Sequence, residues 1–159
     1  MKIYFAHPCF TEKQRNIKAQ FLSRLSSFLS ISPYGSRITV VDPFDHAPNI
    51  ENDIGAKLEM AEDIVVECIR LLKTCDIVIA LADDNDTGTA FEAGYAYAVN
   101  KPFILISSED CSAANAMLIG SAKAVVNNIL DDEQIKRLVD LIEFFFGIWK
   151  ASQKTPRNN

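Results

Sequence analysis

Apolar residues fall into two rhythms along this chain, and the rhythms take turns. Residues 2–6, KIYFA, are a short β-rich run that stops at His7-Pro8, where proline has no amide hydrogen to give to a strand ladder. From Thr11 to about Leu29 the residues Ile17, Phe21, Leu25 and Phe28 recur at three-to-four spacing behind a threonine suited to an N-cap, which predicts a helix. SPYGS then turns the chain into a β-branched run, 37–42, that ends at Pro43, and the polar stretch 44–55 reads as a loop at a strand's end. Residues 56–73 return to helical period. CDIVIALA, 75–82, is apolar at nearly every position, as a strand covered on both faces must be. TAFEAGYAYAVN (89–100) is helical, PFILIS (102–107) a fourth strand, AKAVV (122–126) a weak fifth, and 131–150 a long amphipathic helix.

Strands that alternate with helices imply a parallel sheet with right-handed crossovers and helices on both faces. The expected fold class is α/β: a flavodoxin-like three-layer sandwich around a five-stranded parallel sheet in the order 2-1-3-4-5. One core serves 159 residues, so 1–159 are expected to form a single domain with about 151–159 as a frayed tail. In such a sheet the ligand sits beyond the carboxyl ends of the strands, at the switch point between strands one and three. AHPCF and DDNDTGTAFE occupy those two ends.

Composition narrows the classes. Hydrophobic residues at 48% and charged residues at 23% describe a globular chain rather than a disordered one. A net charge of -5 offers no basic surface to a phosphate backbone, so nucleic acid is not an expected partner. No run approaches the roughly 18 apolar residues of a membrane span, and MKIYFAHP lacks the pattern of a signal sequence, which points to a cytoplasmic protein with no membrane partner. Cys9, Cys68, Cys75 and Cys111 show neither zinc spacing nor disulfide density and read as reduced thiols, with Cys68 and Cys75 on one helical face.

The candidate chemistry lies in the turn after the central strand, where Asp83, Asp84, Asp86 and Glu92 crowd together. A dinucleotide site would need glycines after strand one, yet none of the six glycines precedes residue 35; no Gly-Lys pair exists for a P-loop. A phospho-acceptor would need paired acids where Ala6, His7 and Pro8 stand. Thr89-x-x-Glu92 matches a capping box and Asp86 could cap the same helix, but capping accounts for two acids only. Glu92, in the first turn or two of its helix, is expected to be kept ionised by the helix dipole. An ionised, positioned carboxylate can attack the anomeric carbon of a sugar. The small residues Ala90, Ala93, Gly94, Ala96 and Ala98 allow this helix to pack closely on the sheet or on a neighbouring subunit.

IYFAHPCFT, CDIVIALADDNDTGTAFEAGYAYA and KPFILI, in that order and at that spacing, resemble the nucleoside 2-deoxyribosyltransferase family. The signature D-x-G-x-x-x-E-x-G-x-A is met by Asp86, Gly88, Glu92, Gly94 and Ala96, and Asn115-Ala116-Met117 resembles a segment that a neighbouring subunit contributes to the active site. The resemblance implies an exchange in which a 2'-deoxyribonucleoside gives up its base, the deoxyribosyl group rests on a carboxylate, and a second base takes it. Glu92 would be that nucleophile, oriented by Tyr4, with Asp86 and a partner's Asn115 on the sugar hydroxyls. Asp84, Gly88, His7, Cys9, Phe10 and Met117 complete the implied substrate contacts. The implied partners are a deoxyribonucleoside and a free nucleobase, the implied assembly is a homo-oligomer (dimer, tetramer or hexamer) sharing its sites, and no metal or organic cofactor is implied.

The chain departs from the family pattern at three places. Counting eight residues back from Asp76, where the family often has an Asp proposed to protonate the leaving base, gives Cys68; Asp45, Asp63, Glu67 and Asp84 are alternatives for that acid. His7 stands where Gly is common and Cys9 where some members have Trp. Two other functions fit the same pocket: an N-glycosidase of deoxynucleosides or their 5'-monophosphates, for which Ser107 and Ser108 offer weak phosphate donors, and a nucleotide-binding domain without turnover.

Overall fold

The computed structural model describes residues 1–46 and 54–153. Five parallel strands, β1 (Lys2–Ala6), β2 (Thr39–Val41), β3 (Ile77–Leu81), β4 (Phe103–Ile106) and β5 (Ala124–Val126), hydrogen-bond in the order β2-β1-β3-β4-β5. The expected sheet order is the one observed. Helices α1 (Glu12–Ile31), α2 (Ile54–Thr74), α3 (Thr87–Ala98), α4 (Ala116–Ser121) and α5 (Asp132–Ser152) make the connections and close the chain. The expected fifth strand shrinks to three residues, and α4, too short to show a period, has no counterpart in the sequence pattern.

Side chains alternate across a strand, and here the alternation sorts the core into two halves. Ile3, Phe5, Ile77, Ile79, Leu81, Ile104 and Ile106 point to one face, where Ile17, Phe21 and Leu25 of α1 meet Ile135, Leu138, Ile142 and Phe146 of α5. Tyr4, Ala6, Val78, Ala80, Phe103 and Leu105 point to the other, against Leu71 and Leu72 of α2, Cys75 just after it, and Ala93 and Ala96 of α3. The alanines let α3 lie close to the sheet, so a side chain on its inner face reaches β1.

The start of α1 bears out the expected cap. The Gln14 amide donates to Thr11 Oγ1 at 3.2 Å while Gln14 Oε1 accepts from the amides of Thr11 at 3.0 Å and Phe10 at 2.8 Å. Of the two caps expected for α3, Asp86 and not the Thr89 box is the one observed: its Oδ2 accepts from the Thr89 amide at 2.7 Å, and the helix begins two residues earlier than the apolar pattern suggested. Residues 151 and 152, expected as tail, continue α5; residues 154–159 lie outside the described residues, as do 47–53 of the expected loop 44–55. Its described ends are a 3-10 turn at Pro43–Asp45 and the first turn of α2.

Candidate active site

Beyond the carboxyl ends of β1 and β3, the four acids of the turn separate into different jobs. Asp83 Oδ1 accepts from Ser107 Oγ at 2.7 Å and from the Ser108 amide at 3.0 Å, tying β3 to the end of β4. Asp84 and Asn85 sit in left-handed backbone (φ 60° and 49°), a conformation that Asp and Asn tolerate better than most residues. That twist brings Asp84 Oδ2 to Gln14 Nε2 of α1, which donates at 2.9 Å. Asp86 caps α3 and keeps its other oxygen available. Only Glu92 turns inward: it is 9% exposed, and the Tyr4 hydroxyl, itself wholly buried, donates to its Oε1.

Burial pushes the Glu92 carboxyl up to about 7, helped by the nearby Asp86 and Asp42 charges and opposed by hydrogen bonds from Tyr4 and the Cys68 thiol. The helix dipole expected to keep it fully ionised is outweighed. Glu92 stands sixth in α3, past the first turn where that field acts, and its loss of water costs more than the dipole returns. Tyr4 is raised far beyond the ordinary tyrosine value, first by burial and then by Glu92, so it remains a donor.

His7, expected at the substrate, is enclosed instead. Its side chain has no exposure, Nδ1 lies 3.0 Å from the Pro8 carbonyl oxygen, and Nε2 lies 3.1 Å from Asp42 Oδ1. Sequence reasoning missed Asp42. Burial alone would raise this carboxyl, but His7, Lys18 (Nζ 2.5 Å from Oδ2) and the Phe44 amide bring it down to about 2. Its place at the carboxyl end of β2, immediately before Pro43, was the available signal. Phe44 packs on His7 (centroids 5.1 Å apart) and edge-on against Phe10 (5.8 Å), and Phe10 is 52% exposed beside the half-buried Cys9. An exposed ring backed by a second ring is a surface on which a flat heterocycle can stack.

A cleft of about 860 Å³ between α3 and α4 is lined by Asp86, Thr89, Tyr97, Asn115 and Met117 among others. Asn115 caps α4 through the Met117 amide, and Met117 is 82% exposed. Neither Glu92 nor Tyr4 lines this cleft, so one chain joins Asn115 and Met117 to Asp86 but not to the buried carboxylate. Gly88 lies in the first turn, where a Cβ would stand 3.1 Å from Asp86 Oδ2; glycine leaves that carboxylate room. Of the acids considered as proton donors, Asp45, Asp63 and Asp84 are exposed and Glu67 pairs with Arg70. Cys68 is half-buried, and its thiol is among the groups that act on the Glu92 carboxyl. Among the described residues no group of three or more His, Cys, Asp or Glu side chains is placed to hold a metal ion, and no helix is long and apolar enough to cross a membrane.

A family model described as nucleoside 2-deoxyribosyltransferase matches residues 3–130. No curated protein matches the chain. Among solved structures, a conserved protein from Enterococcus faecalis V583 aligns with a TM-score of 0.65 at 22% identity, over 86% of this chain and 98% of that one. A 2-deoxyribosyltransferase from Bacillus psychrosaccharolyticus aligns with a TM-score of 0.59 at 24% identity, over 86% and 90%. A CMP N-glycosidase from Clostridium botulinum gives 0.56 at 19% identity, over 89% and 99%. At these identities the likeness is one of fold.

Proposed function

This chain belongs to the nucleoside 2-deoxyribosyltransferase family, and from that premise we propose that it moves a 2-deoxyribosyl group between nucleobases with Glu92 as nucleophile. The observation that carries the reading is the buried hydrogen bond from Tyr4 to Glu92 at the switch point of the sheet. A carboxylate shielded from water and held by a donor on one oxygen keeps the other free for one approach.

In the first half, Glu92 attacks C1' of the sugar as the bond to the base breaks; the bonding electrons leave with the base, which takes a proton from water, and an ester joins sugar to Glu92. In the second half, a nitrogen of the incoming base attacks the same carbon and gives up its proton to water, and the ester electrons return to Glu92. Two inversions retain the configuration. The uncommitted oxygen of Asp86 suits a sugar hydroxyl, Phe10 suits the base, and Asn115 and Met117 of a second copy complete the pocket that one chain leaves open.

The charge pattern favours an unphosphorylated nucleoside over a 5'-monophosphate. Asp42, Asp83, Asp84, Asp86 and Glu92 surround the site, Lys18 is paired with Asp42, and Arg15 donates to the Phe10 carbonyl at 3.1 Å. The amides of Phe10 and Thr11, ahead of α1, and of Gln14 within it are engaged by the capping box, and Ser107 Oγ and the Ser108 amide are engaged by Asp83. These donors are therefore not open to a phosphate.

Incubation with a deoxynucleoside and a different free base, followed by chromatography, tests the reading. A new nucleoside is expected. Free base released at a rate indifferent to the acceptor would identify a hydrolase, and binding without turnover would overturn the enzyme reading. Glu92→Ala is expected to abolish turnover with an unchanged circular dichroism spectrum; activity surviving that change would remove Glu92 from the mechanism.

A further inference from the structure

We propose that Asp42 is a positioning residue for the base half of the site: it fastens the Phe44 ring behind Phe10, so that a nucleobase meets a fixed aromatic corner. The inference rests on the reading that Phe10 takes the base in deoxyribosyl exchange.

The sheet brings the parts together. β1 and β2 are parallel neighbours with Tyr4 opposite Val41, so the residues just past them, His7 on one side and Asp42 to Phe44 on the other, leave the sheet side by side. Pro43 begins a 3-10 turn that Asp42 caps, its Oδ1 accepting from the Phe44 amide at 2.9 Å. A cap needs nothing more. Asp42 nonetheless has two further partners from other segments: His7 Nε2, past the end of β1, lies 3.1 Å from Oδ1, and Lys18 Nζ of α1 lies 2.5 Å from Oδ2.

Both of those partners also meet the Phe44 ring. His7 packs on it with centroids 5.1 Å apart and is itself stacked on Phe5 at 4.3 Å. Lys18 Nζ lies over it, 5.5 Å from the ring centroid, and reaches Cys9 Sγ at 4.0 Å beside Phe10. The Phe44 backbone and ring are therefore held by three groups that converge on one carboxylate. Phe10 then meets this ring edge-on, at 75°, with half of its own surface open. Burial works against a charge on Asp42, but His7, Lys18 and the Phe44 amide draw its carboxyl down to about 2, so it is ionised at neutral pH. Apolar residues in place of such a buried network often serve stability equally well. Fixing where a ring stands is the task that they would not perform.

Asp42→Ala, Phe44→Leu and the double variant make the test, read at about pH 8, above the Glu92 titration, where losing the nearby Asp42 charge changes the ionised fraction of Glu92 little. One base site serves both halves of the exchange. Asp42→Ala is therefore expected to raise KM for the donor nucleoside and for the acceptor base together, by about fivefold, with kcat changed by less than about twofold. Phe44→Leu is expected to do the same, and the double variant to be no worse than Phe44→Leu, because Asp42 acts through that ring. Equilibrium dialysis of free adenine and of free cytosine against the same proteins reads base affinity without turnover and should give the same pattern. Additive losses, or a fall in kcat with KM unchanged, would overturn the proposal, as would dialysis in which neither base binds the wild-type protein. Where thermal melting shows that Asp42→Ala does not fold, Asp42→Asn takes its place: it keeps an oxygen for the Phe44 amide, loses the charge for Lys18, and is judged by the same coupling to Phe44→Leu. Should the wild-type protein bind bases but show neither exchange nor hydrolysis, the catalytic reading falls, while the dialysis results still decide whether Asp42 sets the base site.

Discussion

Glu92 shows how one side chain's surroundings outweigh its place in a helix. A helix N-terminus stabilises a carboxylate by about 0.3–1 kcal/mol, and mainly within the first turn. Moving its pKa from the ordinary 4.5 to about 7 corresponds to about 3 kcal/mol, so burial wins. The result is a carboxyl that titrates near neutral pH. Because its folded pKa lies above its unfolded one, the associated stability is fully present below pH 4.5 and is lost as pH rises through about 7. Glu92→Gln, which keeps the shape and an oxygen for Tyr4, is therefore expected to be more stable than wild type by about 3 kcal/mol near pH 8. That gain should fade toward zero near pH 4. Urea unfolding at the two pH values, with matched slopes, measures it; a gain independent of pH would assign the stabilisation to packing instead.

At the scale of elements, the acidic turn works as a joint. It fastens β3 to β4 through Asp83, α1 to the turn through Asp84 and Gln14, and starts α3 through Asp86. Asp86 thus has a structural oxygen and a free one, and its two substitutions separate them. Asp86→Ala is expected to cost about 1 kcal/mol of stability through the lost cap. Asp86→Asn keeps a capping oxygen and should stay near wild-type stability, yet lose about tenfold or more in kcat/KM if the charge holds a sugar hydroxyl. Denaturant midpoints and exchange kinetics on both variants check this. An Asn variant that stays fully active while the Ala variant loses activity would place the effect in the helix alone. The strands were legible because strands buried on both faces read as short, nearly unbroken apolar runs bounded by turn residues. The start of α3 was legible only as a choice between two caps, Thr89 and Asp86, because Asp86, Thr87 and Gly88 carry no apolar pattern to decide it.

For the whole molecule, the cleft beside α3 and the carboxylate behind it imply more than one chain. Asn115 and Met117 lie against Asp86 yet do not line the space around Glu92. If a second copy completes each site, Glu92→Ala and Asn115→Ala, each inactive alone, should recover activity when unfolded together and refolded. In a symmetric dimer half the molecules are mixed and one of their two sites is intact, so roughly a quarter of wild-type activity is expected. No recovery on mixing would mean that each chain carries its whole site. Such an assembly cannot be read from a pattern of apolar positions. Gly94, Tyr97 and Met117 are exposed in a single chain, and their spacing is equally that of an ordinary solvent-facing helix.

The sequence by itself determined the order of the elements, the parallel sheet and its switch point, and the residue types gathered there. Those properties follow from local periodicity and from the handedness of crossovers, which need no knowledge of distant neighbours. Only the tertiary structure decided what those residues are chemically. It set Glu92 near neutrality, closed His7 onto Asp42 thirty-five positions away, and brought the Tyr4 hydroxyl onto Glu92 eighty-eight positions away. Charge and hydrogen bonding depend on how much water is removed and on which groups from other segments take its place, and that is settled only when the segments meet.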